Sequence, residues 1–171
     1  RISYMADNLI ISYFLGAKTV TVFFLTQRLF VIGRQQLKQL GNSAWPAMSD
    51  IYYSKDRQVF ANRIVDVTEF ISFACGSMLF VLALLNPSFV RLWTGEGTFG
   101  GMALSNIVIF NTGLFAINSF WLWCFTGTGL LSKTLPMLAT QAGVNLAVST
   151  FGTYYFGIVG PVLGTFVSLA F

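Results

Sequence analysis

Histidine is missing from all 171 residues of this sequence, and Lys, Arg, Asp and Glu together supply only 9% of it, against about a quarter in soluble domains. The first absence removes imidazole acid–base catalysis and any metal site with a histidine ligand. The second argues against a soluble globular domain. Cysteine occurs twice, at Cys75 and Cys124, in separate apolar stretches. The pair therefore reads as two small hydrophobes rather than a disulfide or a nucleophile. A phosphate-binding glycine loop, a D-x-D-like acid cluster and a nucleophile elbow are also lacking, and the basic residues are too few and too scattered for nucleic acid. The sequence thus calls for no enzymatic chemistry and no cofactor.

What remains is apolar: 55% of the residues are hydrophobic and 16% aromatic, with a mean hydropathy of +0.70. A bilayer core of roughly 30 Å takes about 20 apolar residues to cross as a helix. Backbone groups in lipid must be bonded within their own segment, and the alternating pattern of a barrel strand is not seen, so the expected class is an all-α integral membrane protein, a polytopic helix bundle. Four complete spans are expected at 20–47, 65–85, 102–125 and 134–156. Two truncated ones are expected at 2–15, ended by Gly16, and at 161–171. Asn86-Pro87 is read as the stop of the second complete span, and Pro136 as a first-turn residue of the fourth. The chain opens on Arg1 and closes on Phe171 inside an apolar run, so it reads as a piece of a longer protein.

Basic residues in short loops set orientation. The connections at 48–64 and 126–133 carry Lys55, Arg57, Arg63 and Lys133, whereas those on the other side carry Lys18 and Arg91. The first group is therefore assigned to the cytoplasm. Trp45, Tyr52 and Tyr53 near one face, and Tyr154 and Tyr155 near the other, fit interfacial aromatic belts. The 48–64 segment reads as a cytoplasmic loop, with a short surface-lying amphipathic helix as the alternative. Asp66 and Glu69 read as acids meeting the dipole at the N-terminal end of a span.

One stretch breaks the apolar pattern: "TQRLFVIGRQQLKQLGNSAWP", residues 26–46. Projected at 100° per residue, Gln27, Arg34 and Lys38 fall in one narrow wedge. Thr21, Arg28, Gln35, Gln39 and Asn42 fall in the adjoining wedge, and Leu25, Leu29, Phe30, Ile32, Leu37 and Leu40 take the opposite, lipid-like side. A cation near mid-membrane costs from about 2.5 to more than 10 kcal/mol, so such residues face protein or a wet cavity. Lys38 and Arg34 lie close enough to the cytoplasmic end to snorkel. Arg28 lies about nine residues, roughly 13 Å, in from the outer end, and it reads as a cavity residue or as the partner of Asp7 on the preceding span. Asp7 is the one acid deep in a span, and hence the candidate charge partner or coupling group. Asn106, Asn111, Asn118, Gln141 and Asn145 either line a cavity or bond across helices. Glycines such as Gly113, Gly129, Gly143, Gly152, Gly160 and Gly164 allow close helix approach.

Three segments, "ADNLIISYFLGAKTVTVFFLTQRLF", "AWPAMSDIYYSKDRQVFANRI" and "YYFGIVGPVLGTFVSLAF", together resemble the C-terminal half of bacterial polysaccharide-biosynthesis flippases. These form the O-antigen, or Wzx-type, branch of the multidrug/oligosaccharidyl-lipid/polysaccharide exporter superfamily. The marks are an acid-Asn before an aliphatic stretch and Gly, a Pro followed by a loop with "SKD", and a late "GIVG" before a final span. The resemblance implies a MATE-like bundle of about twelve helices in two lobes, alternating access, and a site between the lobes. This chain would supply most of the second lobe, from about helix 7 to the start of helix 12, with the N-terminal lobe outside it.

The resemblance further implies a multi-pass protein of the bacterial cytoplasmic membrane that moves undecaprenyl-pyrophosphate-linked oligosaccharide between leaflets, among membrane lipids and alongside envelope-biosynthesis partners. The candidate substrate-binding residues are Arg28, Arg34, Gln35, Gln39 and Asn42, with Asp7 as charge partner. The competing readings are a cation-coupled multidrug exporter of the same superfamily, a membrane-embedded glycosyltransferase or polymerase, and a non-transporting scaffold. An exporter of that kind is expected to show more cavity acids, and a transferase an acid or histidine pair at a membrane face.

Overall fold

An apolar chain in lipid has no backbone partner but itself, and in the computed structural model the described residues are almost all helical, with no strand among them. The structure describes residues 2–54, 57–127 and 131–170, with side chains at 2–5, 40–41, 125, 127 and 131–134 excluded. Lys55, Gly129, the end residue Phe171 and the side chains of Leu40 and Lys133 therefore lie outside the described residues.

Six helices follow one another: α1 (Ile2–Leu15), α2 (Ala17–Tyr53), α3 (Arg57–Thr94), α4 (Met102–Gly127), α5 (Leu131–Phe156) and, after a 3-10 turn at Gly157–Val159, α6 (Gly160–Ala170). The α1–α2 reversal takes one residue. Gly16 has φ of 83°, a region that only glycine enters without strain, and its N–H donates to the Ser12 carbonyl at 3.1 Å. α2 packs on α3 and α4, α4 on α6, and α1 against α2 and α5. A core of Ile11, Phe23, Phe30, Leu37, Leu79 and Val108 lies among them, and a second cluster of Met48, Ile71, Phe120 and Cys124 lies toward the far end of α2. Both cysteines are free and buried, Cys75 in the first cluster and Cys124 in the second.

Among the described residues, three segments are long and apolar enough to cross a membrane: Arg57–Thr94, Met102–Cys124 and Leu135–Ala170. The outward surface of α3 fits lipid, with Phe70, Phe73, Phe80, Leu84 and Leu85 all exposed. α2 is as long as α3 but is not one of the three. Its cations and glutamines dilute the apolar character that the 20–47 reading relied on.

The helices run further than the punctuation in the sequence suggests. Pro87 lies inside α3 rather than ending it. Beside it Asn86 is wholly buried and ties α3 to its neighbours, donating through Nδ2 to the Thr26 carbonyl and to Ser105 Oγ, both at 3.1 Å. Pro46 lies inside α2 and Pro136 inside α5, the latter beyond the first turn because that helix starts at Leu131. The 48–64 segment is consequently neither a loop nor a separate surface helix. α2 continues to Tyr53 and α3 begins at Arg57, and the Tyr52 and Phe60 rings meet edge-on at 5.2 Å across the join. Asp66 and Glu69 then fall in the third and fourth turns of α3, too far in to feel its N-terminal dipole. Asp66 instead accepts from Arg63 at 3.1 Å on the surface.

α5 and α6 form an antiparallel hairpin held at short range by small residues. A Cβ built on Gly160 would run into the backbone of Gly152 and Thr153, and one on Gly164 would come within 2.6 Å of the Ser149 amide. Across the same seam Asn145 Nδ2 donates to Thr165 Oγ1 at 3.2 Å. Lipid tails give helices no hydrophobic drive to associate, so contact of this closeness supplies the packing that does.

Candidate functional site

α2 presents three faces. Phe23, Thr26, Phe30, Gly33 and Leu37, spaced three and four apart, are buried against the bundle. Phe30 and Leu37, expected on the lipid-like side, are thus core residues, 1% and 4% exposed. Rotated from that face by roughly a quarter turn, Gln27, Val31 and Arg34 line a cavity of about 20 Å³ together with Asp7 of α1, Asn111 and Thr112 of α4, and Thr165 of α6. Beyond it, Thr21, Arg28, Gln35 and Gln39 are all exposed along one line of the helix. Of the first polar wedge of the sequence, Gln27 and Arg34 thus lie inside the bundle and Lys38 on its surface, while Thr21, Arg28, Gln35 and Gln39 of the second are exposed and Asn42 is half-buried.

The predicted residues divide between them. Arg34 is at the cavity, with its guanidinium carbon 4.6 Å from the centroid of the Phe115 ring on α4. Lys38, one turn on, is exposed, with Nζ 5.9 Å from the Trp123 ring. Both cations therefore lean on α4 aromatics. Arg28 is exposed and lies 5.5 Å from the ring of Phe24, one turn earlier on its own helix. Asn42 is half-buried and donates to Gln39 Oε1 at 3.2 Å, so these two amides form a pair at the end of the exposed stripe. Gln35 is exposed.

Asp7 is 3% exposed. It shares its cavity with Arg34 and Gln27, not with Arg28, and no ion pair joins it to Arg28 among the described residues. The expected Asp7–Arg28 pair is thus replaced by a shared site with Arg34, because residue 34 lies on the α1-facing wedge of α2 while residue 28 points away. The Ser149 hydroxyl of α5 lies within reach of the Asp7 carboxylate and also of the Pro161 carbonyl, at 3.3 Å. Its one proton serves one of them at a time.

Most of the buried asparagines act as ties between helices. Asn111 Nδ2 donates to the Val162 carbonyl at 2.8 Å and Asn118 Nδ2 to the Leu169 carbonyl at 3.0 Å, while Asn106 is exposed. The aromatic supports Phe115 and Trp123 and the hydroxyls Thr112 and Thr165 escaped the sequence reading. For Phe115, Trp123 and Thr112 the signal that could have found them is their position on the face of α4 turned toward α2.

Chemically, the arrangement offers a guanidinium, two amides and a hydroxyl on one exposed helix face. Among the described residues no group of histidines, cysteines and acids could hold a metal ion. Comparison with protein-family models, with curated proteins and with solved structures finds no match to this chain.

Proposed function

We propose that this chain is most of the second lobe of a two-lobed transporter in the bacterial cytoplasmic membrane, and that the whole protein flips a polyprenyl-pyrophosphate-linked oligosaccharide between leaflets by alternating access. The observation that carries the reading is the exposed stripe Thr21, Arg28, Gln35 and Gln39 on α2. Where the neighbouring outward surface of α3 at Phe73, Phe80 and Leu84 is apolar, a guanidinium near mid-membrane faces a wet cavity rather than lipid. A guanidinium stays charged in a dry site and binds pyrophosphate bidentately, while amides and hydroxyls suit sugar. On this reading α2 is a fourth spanning helix, its stripe turned toward the opposite lobe, and the substrate and membrane lipids are the partners it meets.

Full-length protein in liposomes tests this. A labelled polyprenyl-pyrophosphate oligosaccharide is expected to cross between leaflets with the wild type, at a rate cut about ten- to a hundredfold in Arg28→Gln, the loss of a charged hydrogen-bond set of about 1.5–3 kcal/mol. Arg28→Lys should recover part, because it keeps the charge and loses the fork. Wild-type crossing by folded Arg28→Gln removes Arg28 from the site. No crossing by folded wild type, over several glycans and ion gradients, favours the cation-coupled multidrug exporter, for which Asp7 is the acid at hand.

A further inference from the structure

Lys38 and Trp45, seven residues apart, share one line of α2, and both lean on Trp123 of α4. The Lys38 Nζ lies 5.9 Å from the Trp123 ring centroid, and the Trp45 ring lies 6.4 Å from it at a tilt of 55°. Lys38 and Trp45 are exposed and Trp123 is half-buried, so the group opens outward. It is also turned away from α3. Gly33, whose Cβ position would meet Met78 and Leu82 of α3, lies about 140° around the helix from Lys38.

Charge, depth and donors together select a ligand for this group. α4 carries no charged residue over its whole length, and α2 has four cations but no acid before Asp50, about 18 Å beyond Lys38. Among the described residues no ion pair joins Lys38 to an acid, so the ammonium favours an anion from outside. Trp123 stands next to the end of the Met102–Cys124 segment, which is long and apolar enough to cross a membrane. The group therefore sits at headgroup level, where indole rings concentrate. Trp121 donates its indole N–H to Thr68 Oγ1 at 3.2 Å, whereas the indoles of Trp45 and Trp123 have no acceptor among the described residues. An ammonium binds phosphate as a point charge, and an interfacial indole has an apolar body for acyl chains and an N–H for a polar head. A free anion in water matches only the charge; a phospholipid matches both.

We infer that Lys38, Trp45 and Trp123 form a binding site for the phosphodiester headgroup of an anionic membrane phospholipid. The ligand is a lipid that stays in its own leaflet, and the inference does not rest on what the exposed stripe of α2 carries.

Native mass spectrometry of the full-length protein tests this, with phosphatidylglycerol, phosphatidylcholine and undecaprenyl pyrophosphate added singly and in pairs at equal concentration. Wild type is expected to retain phosphatidylglycerol over phosphatidylcholine, and Lys38→Gln to lower that ratio about fivefold, the scale of one lysine at an anionic lipid surface. Lys38→Arg should keep the ratio, as should Lys18→Gln, which removes the same charge near the other end of α2. Equal retention of the two phospholipids by wild type overturns the inference. So does a ratio that survives Lys38→Gln, or one that falls as far in Lys18→Gln. Undecaprenyl pyrophosphate that displaces the Lys38-dependent phosphatidylglycerol marks a contact for a lipid-linked pyrophosphate instead and overturns the phospholipid assignment.

Discussion

Asp7 and Arg34, on consecutive helices, line the same small cavity inside the bundle. Arg28, by contrast, is exposed with only an aromatic ring of its own helix beside it. The two arginines of one helix therefore have different tasks, one inside the bundle and one on its surface.

That division can be read by water-soluble thiol reagents. In a full-length background with Cys75 and Cys124 replaced by alanine, single cysteines at Arg28, Gln35 and Gln39 should react with a charged methanethiosulfonate, and those at Phe30 and Leu37 should stay protected. Protection at all five positions would mean that the stripe is sealed and would end the wet-cavity reading.

Asn86 carries two buried bonds beside a proline, so its loss should be felt in stability. Side-chain hydrogen bonds between membrane helices average about 0.6 kcal/mol, and an orphaned buried partner adds about 1–3 kcal/mol. Asn86→Leu is expected to cost roughly 2–4 kcal/mol in total, measured as a fall in Tm of the detergent-solubilised protein. An unchanged Tm would show that the α2–α3–α4 tie contributes nothing.

Glycine substitutions should separate sharply by site. Gly160→Ala places its Cβ against backbone, and overpacking of this kind costs about 1–3 kcal/mol or more. Gly143, in the middle of α5 with open space around its Cβ position, should gain up to about 1 kcal/mol on replacement by alanine. Thermal unfolding of the two variants side by side checks the hairpin geometry; equal effects would contradict it.

The aromatic supports of α2 should differ by distance. Cation–π attraction is worth about 0.5–2 kcal/mol and fades near 6 Å from the centroid. Phe115→Leu, under Arg34 at 4.6 Å, is expected to lower stability by about 1 kcal/mol or more once lost packing is added. Lys38→Gln, which ends a contact at 5.9 Å, should change Tm little. The reverse order would place the anchoring of α2 at Lys38.

Periodicity at 100° per residue was enough to separate the Gln27–Arg34 wedge from the Arg28–Gln35–Gln39 stripe, and the structure keeps them apart. Which apolar flank meets protein was not legible, because Phe30 and Leu37 at a helix interface and Ile32 outside it carry the same apolar signal in a membrane protein. The prolines misled for a different reason. Pro87 looks like a stop until Asn86 is seen bonded to both neighbouring helices, and such long-range ties leave no local trace. The Asp7–Arg28 expectation failed on rotation alone: choosing between residues 28 and 34 as neighbours of Asp7 requires knowing which face of α2 turns to α1.

The two asparagine ties of α4 also set what kind of movement α6 can make. Asn111 and Asn118 are seven residues apart, and so are the carbonyls of Val162 and Leu169 that they hold. Two matched rungs on parallel rails work like a vernier. A slide of α6 by one residue, about 1.5 Å along the axis, misaligns both bonds at once, so the two ties resist axial creep together rather than one after the other.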